Sequence, residues 1–362
     1  MRLIHTADWQ LGLQLNFVEG DNAARLRAQR LEAVRRIAEV ARQNEVDAVA
    51  VAGDVFDGNA VGPETLQQAR DALATFAPIP VLLLPGNHDP ADPHSALGRL
   101  GAGDHVRVLA TADPVEIPGG VVHPCPLTKR HESGDPTAHL TPCPDDGRVH
   151  VVLAHGGVLE FSETTETPNK IDAQRVIELG YDYLALGDWH SVFSLDGQRI
   201  WYSGTPEATR WKERDPGKVL LVSVPSHGAI PEVNPVHVAR SRWVEETFRL
   251  ESDEDVGVFR AWLEALPEKS WTLVRLHLQG QLSLHARAEL DSILDEAAGQ
   301  LLCLDVVADE IVDAASEEEL AALQMEGFVG EAVAELRADA SPLWKDALRV
   351  LYGIHRSREG AA

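Results

Sequence analysis

Asp8, Gln10, Asp54, Asn87, His88, His155, Asp188 and His190 are the polar side chains whose types and placing could do chemistry, because all of them lie at the ends of strand-like stretches. Carboxylate, amide and imidazole together are the donors of a hard-to-borderline divalent cation. A carboxylate such as Asp54 can bridge two ions while the remaining donors divide between them. Two ions about 3.5 to 4 Å apart hold a hydroxide and cradle a phosphoryl oxygen, which suits in-line hydrolysis of a phosphate ester. Taken singly these residues carry little: Gly86-Asn87 also makes a plain turn, and a lone Asp is ordinary solvated surface. The set is what points to metal.

Such donors need strands that end in one place. Residues 2–6 read as a short strand exiting into Asp8, 46–52 as an apolar strand exiting into Gly53-Asp54, and Val81-Leu82-Leu83-Leu84 as one stopped by Pro85-Gly86 before Asn87, His88 and Asp89. A continuous apolar run bounded by Pro and Gly marks a strand covered on both faces. Residues 149–154 exit into His155 and 183–186 into Gly187-Asp188. Between the first strands, 22–43 carries an apolar stripe at helical spacing, and 62–77 is a second helix with Pro63 at its start. Strand, helix, strand, helix, strand predicts an α/β fold with a parallel or mostly parallel sheet. Short strands follow at 106–109, 115–117 and 121–123. Residues 125–148 read as an irregular surface excursion, and 199–202 and 218–224 have strand character. Beyond about 235 the pattern becomes a helix at 253–266, a strand at 271–278, a helix at 285–296 and a strand at 301–307, a small α+β domain. Short helical stretches are expected from 316 on. The expected domains are therefore 1–240, 241–315 and a helical segment at 316–362 that could bind a partner.

The chain has 362 residues and a formal net charge of −25, which argues against coating a polyanion through a generally basic surface. Any nucleic-acid contact must be local. No apolar run approaches the roughly 18 residues of a membrane span, and residues 2–8 show no apolar signal segment, so a cytoplasmic place is expected. Cys125, Cys143 and Cys303 are odd in number and have no paired spacing, so neither a disulfide framework nor a zinc knuckle is indicated.

Asp8 with Gln10, Gly53-Asp54-Val55-Phe56-Asp57, Gly86-Asn87-His88-Asp89, His155-Gly156 and Gly187-Asp188-Trp189-His190, in that order, resemble the calcineurin-like metallophosphoesterase superfamily. His5-Thr6-Ala7-Asp8-Trp9 and Tyr202-Ser203-Gly204-Thr205-Pro206-Glu207 are similar to its SbcD-type branch of DNA-repair nuclease subunits. The resemblance covers residues 3–224. It implies a layered β-sheet core with helices on the outer faces, and a dinuclear metal-activated hydroxide acting on DNA. It further implies that Asp8, the position of Gln10 and His190 bind one ion, that Asn87, His155 and the position of Asp188 bind the other, and that Asp54 bridges them. His88 would be the proton donor or phosphate-orienting group. Asp89 could fix its ring, and Asp57 could support the site or simply cap its loop. Gln10 and Asp188 depart from the usual histidines, which shifts preference from zinc toward manganese, with magnesium or iron as alternatives.

Arg210, Trp211, Lys212 and Arg214 form the densest basic and aromatic cluster near the motifs, and a nucleic-acid backbone could use it. A solvated loop with one packed tryptophan is the other reading. The expected partners are DNA, an SbcC-like ATPase and a second copy of the chain, with no membrane. Two other readings stand beside the nuclease. One is a phosphatase or phosphodiesterase for small nucleotides or phosphoproteins, and the other is a non-catalytic scaffold subunit whose metal site has drifted at Gln10 and Asp188.

Overall fold

The computed structural model describes residues 1–18, 20–158, 168–313 and 335, so the expected helical segment at 316–362 lies outside the described residues but for residue 335. The chain divides into two compact units, Met1–Ser241 and one that begins at Arg242. In order, the first contains β1 (Arg2–Thr6), α1 (Gly20–Gln43), β2 (Ala48–Val51), α2 (Pro63–Ala74), β3 (Val81–Leu83), β4 (Val106–Val108), β5 (Val115–Ile117) and β6 (Gly120–Cys125). It continues with β7 (Val149–His155), α3 (Ala173–Glu178), β8 (Tyr183–Gly187), β9 (Phe193–Ser194), β10 (Ile200–Tyr202), β11 (Lys218–Ser223) and β12 (Glu232–His237).

These strands form two six-stranded sheets, ordered β12-β11-β1-β2-β3-β4 and β5-β6-β7-β8-β10-β9. In the first, β1 to β4 run parallel, and β11 and β12 close one side antiparallel. In the second, β6, β7, β8 and β10 are parallel, with antiparallel β5 and β9 at the margins.

The two sheets face each other across Leu3, Ala50, Leu82 and Leu220 from one and Val122, Val151, Leu153 and Tyr183 from the other. The opposite face of the first sheet turns Ile4, Val49, Val51 and Leu83 toward Val34, Ile37 and Leu73 of the helices α1 and α2. Val152, Leu184 and Tyr202 on the outer face of the second sheet pack with Ala173 and Val176 of α3. Every central strand is thus covered on both faces, which is why its residues are apolar without alternation. Burying each such side chain contributes roughly 1.5 to 3 kcal/mol.

The second unit alternates β13 (Arg242–Leu250), α4 (Asp253–Ala265), β14 (Thr272–Leu282), α5 (Leu284–Gln300) and β15 (Cys303–Asp313). Its three strands are all parallel, with β14 in the centre. Ser252 and Ser283 cap the two helices by accepting from the backbone N–H of Asp255 and Ala286. Val256, Phe259, Leu276 and Leu290 fill its core. Among the described residues no helix is long and apolar enough to cross a membrane.

Candidate metal centre

The parallel β1, β2 and β3 are neighbours in one sheet and β7 and β8 in the other, so their C-terminal ends gather at one rim. The β1–β2 ladder continues past the strands, with Asp8 N–H donating to Gly53 O (3.1 Å), Gln10 N–H to Asp54 O (3.0 Å) and Leu11 N–H to Val55 O (2.8 Å). Asp8, Gln10, Asp54 and Asp188 all have positive φ, at 52°, 45°, 54° and 97°. Non-glycine residues avoid that region, and it persists where surrounding structure holds the backbone to a task.

Among the described residues, Asp8, Asp54 and His155 bring carboxylate and imidazole atoms within 4.8 Å of one another, all three buried. His155 donates Nδ1–H to Ala52 O (2.7 Å), which turns Nε2 toward Asp54 Oδ1 (3.5 Å), Asp188 Oδ1 (3.8 Å) and Asn87 Oδ1 (3.0 Å). The neighbouring carboxylates of Asp54, Asp8 and Asp188 outweigh burial and carry this imidazole up to about 9. Burial pushes the Asp8 carboxyl up to about 6, against the pull of His190 and His155 and with the help of Asp54 and Asp188. A second imidazole, His190, faces Asp8 Oδ1 (3.9 Å) and the Gln10 amide (3.3 Å) through Nε2.

This donor set fits divalent cations. Two dry carboxylates held together are costly unless positive charge sits between them, and the imidazole nitrogens that face them are held from behind in the orientation a ligand needs. Turned over, the Asn87 amide would donate to both Asp54 oxygens (3.1 and 3.2 Å) and to His155 Nε2 (3.0 Å). Close approach also requires glycine. A Cβ on Gly86 would lie 2.2 Å from Asp54 Oδ1, and one on Gly53 would lie 2.2 Å from His155 Nδ1.

The residues expected as metal donors meet at this rim, where His190 faces Asp8 and Gln10, and His155 faces Asp54, Asn87 and Asp188. Asp188 is the most open of them, with 41 % of its side chain exposed. His88 stands beside them, its N–H donating to Asp54 Oδ1 (2.9 Å).

Asp89 is a correction. Expected to orient the His88 ring, it is instead fully buried and accepts from the backbone N–H of Gly86 (2.9 Å) and Phe56 (3.0 Å). Burial first, and then the Asp54 charge, raise its carboxyl to about 8. It ties the exit of β3 to the exit of β2. The His88 ring is held by Asp57, whose carbonyl accepts from Nδ1 (2.7 Å).

Glu213 escaped the sequence reading. Its carboxylate meets His190 Nδ1 at 2.7 Å and also bonds the Thr209 hydroxyl and N–H, so it sets which nitrogen of His190 faces Asp8. Its setting, Lys212-Glu213-Arg214, looks like solvated surface, and no sequence signal separates it from its neighbours. Ser203 to Glu207 forms the floor beneath: Thr205 Oγ1 donates to Asp8 O (2.8 Å), and buried Glu207 is met by Arg36 (3.0 Å) from α1.

Of the expected nucleic-acid contacts, Arg210, Lys212 and Arg214 are exposed. Arg210 and Lys212 line an open pocket of about 180 Å³ together with Asp188, Trp189 and His190. Trp211 differs, being half-buried with its ring against Phe17 at 5.8 Å. The family model for calcineurin-like phosphoesterases matches residues 1–223.

Proposed function

The chain belongs to the calcineurin-like phosphoesterase family, and on that premise we propose that it hydrolyses phosphodiester bonds of DNA as an SbcD-like nuclease subunit acting in DNA repair. Metal-dependent phosphoester hydrolysis comes with the family and with the buried Asp8, Asp54 and His155 cluster. The choice of DNA rests on one observation: exposed Arg210 and Lys212 line the same pocket as Asp188 and His190, which puts cations for a phosphate backbone beside the reacting centre.

Asp8, Gln10 and His190 would hold one divalent ion, Asn87, His155 and Asp188 the other, and Asp54 both, with manganese favoured and magnesium or iron as alternatives. Such ions supply Lewis acidity toward a phosphoryl oxygen and acidify water enough to attack near neutral pH. The protein supplies position. His88 gives its Nδ1–H to the Asp57 carbonyl, which leaves Nε2 on the metal side, 3.9 Å from Asp54 Oδ2. From there it protonates or steadies the leaving oxygen. The net charge of −25 opposes DNA, so we assign grip on the polymer to an SbcC-like ATPase partner in the cytoplasm, with a second copy of the chain completing the assembly.

A manganese-dependent assay on single-stranded DNA, double-stranded DNA and an aryl phosphodiester tests this reading. It predicts DNA cleavage that chelation abolishes. Cleavage of the aryl ester but never of DNA, even with the partner present, would move the substrate to small nucleotides or phosphoproteins. Metal-free protein inactive with every divalent ion would make it a scaffold.

A further inference from the structure

Trp189 sits between Asp188 and His190, both of which face the metal centre, yet it is 52 % exposed. Trp9, in the loop after β1, is 1 % exposed. Tryptophan is among the most buried residues on average, so a half-bare indole beside a polar site carries information. It lines the pocket of about 180 Å³ that also contains His190, Arg210, Lys212 and Glu213. That pocket is tied to the metal donors, because Glu213 holds His190 at Nδ1 (2.7 Å) and lies 3.7 Å from Arg210 Nε. The Arg210 side chain is 65 % exposed.

We infer that Trp189 is a stacking platform for a nucleobase, so that the site takes phosphoesters in nucleotide form, with the phosphate at the metal centre and the base on the indole. Every base has a π-face, so such a platform tolerates any sequence. Arg210 and Lys212 complete the nucleotide's recognition by meeting the adjoining phosphates. Trp211, the aromatic residue that the basic cluster itself supplies, serves differently: its ring packs on Phe17 and props the loop that presents the two cations. The inference rests on the proposed function for the phosphate's place at the metals and not for the length of the polymer.

The test is equilibrium binding, by calorimetry with manganese present, of 2′-deoxyadenosine 5′-monophosphate and of 2-deoxyribose 5-phosphate to the full chain and to Trp189→Ala and Trp189→Phe. Base stacking predicts that the wild type prefers the nucleotide by about 5- to 150-fold. The preference should collapse to parity in Trp189→Ala and largely survive in Trp189→Phe. A wild type with no preference, or an alanine variant that keeps it, overturns the assignment. So does a fall in manganese content in Trp189→Ala, which would make the indole a support for the donor strand. DNA cleavage is read separately. Base preference that depends on Trp189 without DNA cleavage sinks the nuclease reading alone, and DNA cleavage with base preference independent of Trp189 sinks this inference alone.

Discussion

His5 lies directly beneath the metal loops, fully buried, with its Nε2–H donated to Leu186 O (3.1 Å) and its Nδ1 accepting from the Tyr183 hydroxyl (3.0 Å). A carbonyl can only accept, so the bond to Leu186 places a proton on Nε2. Burial outweighs the Leu186 bond and lowers its pKa from 6.5 to about 3. The unfolded chain therefore takes up a proton below pH 6.5 that the fold refuses until about pH 3. This contribution to stability is fully present above pH 6.5 and is lost through that window as pH falls, by about 1.4 kcal/mol per pH unit. Chemical denaturation at a series of pH values should show stability falling with pH through that window more steeply in the wild type than in His5→Gln, by about that amount, whatever the absolute stability of the variant. His88 makes a different prediction. His88→Ala should lose about 10²- to 10⁴-fold in turnover while manganese content stays unchanged; loss of metal instead would place the imidazole among the ligands. The donors themselves were legible because all of them lie at the ends of strand-like stretches. What holds them was not. The carbonyls of Ala52 and Asp57 leave no mark in a sequence, and the Glu213 carboxylate sits among charged residues that look like solvent-facing loop.

The exits of β2 and β3 are packed so closely that glycine is the only residue one of them admits. A methyl at position 86 would meet Asp54 Oδ1 at 2.2 Å and Asp54 N at 2.5 Å, and that nitrogen belongs to backbone which cannot swing aside. Gly86→Ala should therefore weaken manganese binding on the order of 10- to 100-fold and lower stability by about 1 to 3 kcal/mol. Gly58→Ala is the control in the neighbouring loop, since a Cβ there meets nothing within 4 Å, and it should bind manganese like the wild type. Equal effects of the two substitutions in a metal titration would refute the packing argument. The buried strands β1, β2, β3, β7 and β8 were readable from sequence, as were α1 and α2, because continuous apolar runs and helical stripes are strong periodic signals. That the chain after residue 109 begins a second sheet was not, since short strands reveal nothing of which neighbours they pair with. β13 was missed for a physical reason. Its sequence, Arg242-Trp243-Val244-Glu245-Glu246-Thr247-Phe248-Arg249-Leu250, is that of a mostly exposed edge strand, and its charged residues mask the pairing with β14. The six residues of α3 are too few to show a helical period.

Over the whole molecule, a charge of −25 surrounds a site whose substrate is itself an anion. The buried carboxylates Asp8 and Asp54 would repel a phosphate outright, and only cations between them turn the rim from repulsive to attractive. Metal loading is thus the switch on which every functional statement depends, with Arg210 and Lys212 adding attraction at the margin. The second unit, with its own parallel sheet and its own core, carries none of the donors. The direct measurement is anomalous scattering from crystals grown with manganese. Two peaks about 3.5 to 4 Å apart, one on each side of Asp54, with His190 beside the first and His155 beside the second, are the predicted result. Manganese bound away from Asp54, or no peak at the rim in protein saturated with the ion, would contradict the account.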